Sequence, residues 1–95
     1  MDKDGYPTDD ELETIRNWSH EGGFNQLMEY IREQWIWPHF IGCVEEESKK
    51  IWHISTGGWS GHEDIMRALQ DNFVFWTTCW LWSKRGGHYK FEISS

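Results

Sequence analysis

Apolar positions recur with a helical period in the first third of the chain and with a mixed pattern thereafter. Leu12, Ile15 and Trp18 fall at steps of three, which predicts a first helix with a narrow buried stripe. Thr8 and Glu11 fit a capping box at its start, and Asp9, Asp10 and Glu11 suit the positive end of a helix. Ser19 to Gly23 breaks the pattern. Phe24, Leu27, Met28, Ile31 and Trp35 then fall at i, i+3, i+4, i+7 and i+11, predicting a second helix to about Ile36, stopped by Pro38.

His39 to Val44 and Ile51 to Ser55 read as two strands, with the charged run Glu45 to Lys50 as a solvated hairpin loop between them. From Thr56 to Asp64 an apolar strand pattern stops and a helical one begins. Gly57 and Gly58 permit a sharp turn there, and Ser60 with Glu63 fits a second capping box. Ile65, Met66 and Leu69 share one face of the next helix, which is expected to close near Asn72 with a left-handed cap. Phe73 to Ser83 is apolar at nearly every position, which predicts a long strand covered on both faces or meeting a partner on one. Gly86-Gly87 signals a two-residue hairpin turn that sets Arg85 opposite His88, Trp82 opposite Phe91 and Trp80 opposite Ile93. One side of that hairpin then carries Trp76, Trp80, Trp82, Tyr89, Phe91 and Ile93 as a core face. The sum is an α+β fold: two N-terminal helices, then β-β-α-β-β, with a mainly antiparallel four-stranded sheet packed by helices.

The chain has 95 residues, which suits a single domain over 8–95 after a disordered lead of 1–7. Eight tryptophans, five phenylalanines and three tyrosines supply a rich core for so short a chain. A net charge of -7 argues against broad nucleic-acid binding, because it repels a phosphate backbone at long range. No run approaches the roughly 20 apolar residues of a membrane span, and the acidic start lacks the apolar stretch of a secretion signal, so a cytoplasmic location is expected. Cys43 and Cys79 lack a CxxC neighbour and read as reduced thiols in strands, with a disulfide between strands as the other option.

Chemistry is sparse. The five histidines show neither i, i+4 helical spacing nor HExxH, so no metal and no cofactor are expected. Ser60 is better explained as a cap than as a nucleophile, and the carboxylates gather on helix starts and loops, where capping and solubility account for them. No catalytic residue is nominated. Two turns stand out as binding candidates. Gly57, Gly58, Trp59 and Ser60 form a glycine-bearing entry to a helix, whose N–H groups suit an anion. Lys84, Arg85, His88 and Tyr89 join two bases and an imidazole to an aromatic ring. The plainer reading of each is a structural turn and a solvated hairpin tip. If both turns lie on one edge of the sheet, they form a composite site. A third candidate is the mixed face of the last hairpin, with Phe75 and Leu81 as apolar anchors beside Lys90 and Glu92.

The segment Thr56-Gly57-Gly58-Trp59-Ser60-Gly61, Phe75-Trp76, Trp80 and the ending Arg85-Gly86-Gly87-His88-Tyr89-Lys90-Phe91 resemble a pattern in small uncharacterised phage and prophage proteins. Tyr6 to Leu12 and Trp35 to Pro38 are similar to the same family, so the resemblance covers most of the chain. It implies a viral origin and a non-enzymatic protein, active in the host cytoplasm, that binds a host protein or complex and inhibits or redirects it, such as a component of antiviral defence. The alternative is a binder of a small anionic ligand, such as a sponge for a nucleotide signal, at the two glycine turns. A homodimer through the apolar strand is a third expectation.

Overall fold

A computed structural model describes residues 5–35 and 37–94. The first helix, α1 (Asp9–Arg16), starts as its sequence dictates: the Thr8 hydroxyl accepts from Glu11 N–H at 3.2 Å and the Glu11 carboxylate accepts from Thr8 N–H at 2.8 Å. A 3-10 turn, His20–Gly22, leads to α2 (Phe24–Gln34), where Phe24, Leu27, Met28 and Ile31 are buried on one face as their spacing demands. The helix stops at Trp35, before the proline takes effect. Trp35 is extended, and its indole Nε1–H donates to Ser55 O at 3.2 Å. Ile36, the expected helix end, lies outside the described residues, as do residues 1–4 of the expected lead.

A second 3-10 turn, Pro38–Phe40, opens β1 (Ile41–Glu46), which pairs with β2 (Lys49–Ser55). The charged run is not a loop. Glu45 faces Lys50 and Glu46 faces Lys49 across the ladder, so opposite charges extend the hairpin to a tight turn in which Glu47 takes a φ of 53°. The third helix, α3 (Ser60–Asp71), corrects the second capping box: Trp59 is the cap position, with no side-chain bond, and Ser60 is already helical. Asn72 does end α3, but at φ -82° rather than in a left-handed cap.

The larger correction lies beyond Asn72. The expected strand from Phe73 is a helix, α4 (Phe73–Cys79), and only the last part is extended, as β3 (Trp80–Lys84). Asn72 caps α4 by accepting from Phe75 N–H at 3.2 Å, and the Thr77 and Thr78 hydroxyls donate back to Phe73 O and Val74 O at 2.8 and 2.6 Å. Those bonds satisfy hydroxyls that would otherwise compete with the helix. Cys79 thus sits at a helix end instead of in a strand, and both Cys43 and Cys79 are free thiols.

The last strand, β4 (His88–Ser94), completes one antiparallel sheet in the order β1-β2-β4-β3. Its hairpin register differs by one from the expected one. Lys84 faces His88, Ser83 faces Tyr89, Trp82 faces Lys90 and Trp80 faces Phe91, with an irregularity between Trp80 and Trp82. The turn therefore holds Arg85, Gly86 and Gly87. Both glycines keep the expected positive φ, 94° and 81°. A one-residue slip moves a side chain to the other face of a sheet, so Trp82 leaves the core side while Trp80, beyond the bulge, keeps it.

The core lies on one face of the sheet, where Ile41, Trp52, Ile54, Phe91 and Ile93 meet Ile15, Leu27, Ile31, Ile65, Leu69 and Phe75 of the helices. Phe75 is 0% exposed, with its ring 5.2 Å from Phe24 and 5.1 Å from Phe91 between centroids. It is a core residue and not a partner contact, which corrects that part of the expected interface. Among the described residues, no helix is long and apolar enough to cross a membrane.

Candidate functional site

The junction from Thr56 to His62 is built around an imidazole. His62, in the first turn of α3, is 0% exposed and lies flat against Trp35, with ring centroids 3.9 Å apart and planes within 2°. Trp59 and Trp37 approach it edge-on at 4.6 and 5.3 Å. Its Nδ1 stands 3.0 Å from Thr56 O, and since a carbonyl only accepts, Nδ1 carries the proton. Burial holds the His62 pKa below the ordinary histidine value, and the Thr56 bond partly opposes that shift.

Glycines make this packing possible. A Cβ at Gly57 would strike the Trp37 and Phe40 rings, and one at Gly61 would strike the Trp59 ring. Trp59 is half-buried: besides His62 it touches Tyr6, whose hydroxyl lies 3.0 Å from Ser60 Oγ. Trp59 and Ser60 therefore face the N-terminal segment.

The two glycine turns lie side by side. Thr56 N–H donates to Gly87 O at 3.0 Å, and Gly87 sits so close to Thr56 that a Cβ there would collide with the Thr56 hydroxyl. Beside this contact a trough crosses the sheet face away from the core. One part, about 460 Å³, is lined by His39, Phe40, Gly42, His53, Ser55, Gly57, Gly86 and His88. The adjoining part, about 260 Å³, shares His53, Ser55 and His88 and adds Ile54, Trp82, Lys84 and Tyr89. The register explains the grouping: Gly42 faces His53 on β1 and β2, Ser55 faces His88 on β2 and β4, and His88 faces Lys84 on β3. The Ser55 hydroxyl and His88 Nδ1 are 2.8 Å apart, which orients that ring.

Of the residues expected at the two turns, Gly57, Lys84, His88 and Tyr89 line the trough. Gly58 and Arg85 are exposed in the turns but do not line it. Gly86 falls within the Lys84 to Tyr89 turn expected to hold a ligand, whereas His39, Phe40, Gly42, His53, Ile54, Ser55 and Trp82 were missed. Strand alternation was a usable signal for His53 and Ser55, which share a face two residues apart. Trp82 was placed on the wrong side by the register error.

The third candidate surface is the β3 edge. All of β3 is exposed, and Trp80, Leu81 and Trp82 stand 43%, 42% and 41% exposed on a strand that, among the described residues, is paired on one side only. Lys90 and Glu92 lie on the same outer face as Trp82, and Glu92 is held by Lys49 at 2.7 Å. Phe73 and Val74, at the start of α4, are exposed as well. Among the described residues, no three His, Cys, Asp or Glu side chains converge to hold a metal ion. Comparison of the chain with protein-family models, with curated proteins and with solved structures gives no match.

Proposed function

We propose that this is a non-enzymatic binding protein of phage type, which captures a host protein or complex and inhibits or redirects it. The observation that carries this reading is the β3 edge: three large apolar side chains stand exposed on a strand whose outer backbone edge has no neighbouring strand among the described residues. An extended segment of a partner adds to such an edge through main-chain bonds, with the side chains supplying specificity. Lys84, Lys90 and Glu92 give the rim its charge. The test is affinity capture from host lysate with the wild type and with Leu81→Asp. A partner held by the wild type and lost by the variant supports the reading; equal capture by both removes this edge from it.

A second reading has its own observation. The two glycine turns meet at the Thr56–Gly87 bond, and among the described residues neither part of the trough beside them is lined by a carboxylate, in a chain with sixteen acidic residues and nine Lys or Arg. That local balance suits a small anion. Titration with phosphate-bearing compounds, followed by tryptophan fluorescence, tests it: Lys84→Ala is expected to weaken the response, and a flat titration with the wild type overturns it.

A further inference from the structure

We infer that the trough is a nucleotide site, whose ligand is a nucleoside carrying one or two phosphates. This rests on the reading that the trough takes an anion, and it adds the class of ligand and the placement of its parts.

Strand order fixes the order of the chemistry. Across the sheet run Phe40 and Gly42 at β1, His53 and Ser55 on β2, His88 on β4, and Lys84 with Trp82 on β3. Three strand spacings of about 4.8 Å separate the ends, so the trough is about 14 Å across, which fits an elongated ligand better than a lone phosphate ion. Its larger part, at about 460 Å³, falls within the usual range of small-molecule pockets.

The two ends differ. At the β1 end the floor is bare: a Cβ on Gly42 would meet nothing within 4 Å, so a flat ring can lie against the peptide plane beside Phe40. Gly42 has no positive φ, so the strand conformation does not itself require glycine. What the missing side chain leaves is room. At the β3 end stand the Lys84 ammonium and the His88 imidazole, beside Trp82. His88, oriented by the Ser55 hydroxyl, stands across the ladder from Lys84, and Gly86 lies beneath the His88 ring. The base belongs over Gly42 beside Phe40, the phosphates between His88 and Lys84, and the sugar over His53.

The experiment is calorimetric titration of the whole chain with AMP, CMP, GMP and UMP, with the matching nucleosides, and with inorganic phosphate. At least one mononucleotide is expected to bind about tenfold or more tighter than its nucleoside and than phosphate. Gly42→Tyr fills the base position and is expected to weaken that mononucleotide about tenfold or more while the unfolding midpoint holds. His53→Ala, which alters only an exposed side chain on the outer face, provides the same comparison if Gly42→Tyr does not fold. Lys84→Ala is expected to abolish the preference for nucleotide over nucleoside. If phosphate binds as tightly as every mononucleotide and the Gly42 and His53 variants are neutral, the nucleotide assignment is overturned while the anion reading stands. If no compound binds saturably, both fall.

Discussion

At the residue scale, His62 shows how a polar side chain becomes part of an aromatic core. Three indoles surround it, and its Nδ1–H is used by the Thr56 carbonyl. Because burial lowers its pKa in the folded chain, the unfolded chain binds the proton more readily. The contribution of His62 is therefore complete above the unfolded value of about 6.5 and is lost as the pH falls from there through the lower folded value. His62→Gln, which does not titrate, is expected to be less stable at pH 7 but to lose less stability between pH 7 and pH 5, measured by urea unfolding across that range. Phe75 and Leu81 make a contrasting pair. Phe75→Ala empties a site between Phe24 and Phe91 and is expected to cost about 3–5 kcal/mol. Leu81→Asp, on an exposed edge, is expected to shift stability by no more than about 0.5 kcal/mol. Equal losses in chemical denaturation would contradict this division between core and surface.

At the element scale, Asn72 decides the course of the second half. Its carboxamide accepts from Phe75 N–H, starting α4, and donates to Ile15 O and Trp18 O at 2.9 Å each, fastening the α3–α4 corner to the end of α1. Asn72→Ala is expected to cost about 2 kcal/mol or more, since it leaves buried backbone groups unpaired. Asn72→Asp keeps the acceptor for Phe75 but sets carboxylate oxygens against two carbonyl oxygens. Unfolding free energies are expected to place it below the wild type as well, which separates the bridging bonds from the cap alone. The strand expected over this stretch came from a run apolar at nearly every position, in residue types such as Val, Phe, Trp and Thr that also favour sheets. Propensity lost to tertiary packing: Phe75 and Cys79, four residues apart, point to the same buried side, and the back-bonded threonines face out. The capping box at Thr8, by contrast, was legible because all its partners lie within one turn.

At the scale of the whole molecule, the helices gather on one sheet face and leave the trough and the β3 edge on the other side and margin. Both outer strands carry charge that discourages pairing between copies: β1 ends in Glu45 and Glu46, and β3 ends in Lys84. Light scattering is therefore expected to give the monomer mass across a wide concentration range, with the apolar edge available to a different chain. A mass that doubles with concentration, and returns to the monomer value in Leu81→Asp, would instead make the edge a self-association surface.

How far the sequence reaches depends on the range of the interactions. By itself it determined α1, α2 and α3, the β1–β2 pair and the need for glycine at the two turns, because helical periodicity, caps and turn angles are set by residues close in the chain. It also placed the chemistry of the trough within reach through Gly57, Lys84, His88 and Tyr89. Only the tertiary structure decided that Phe73 to Cys79 is helical, that Trp82 faces outward and that His39 and His53 join His88. Those outcomes depend on Asn72 meeting α1, on Thr56 binding Gly87 and on the order of four strands, contacts between distant segments that no local pattern encodes.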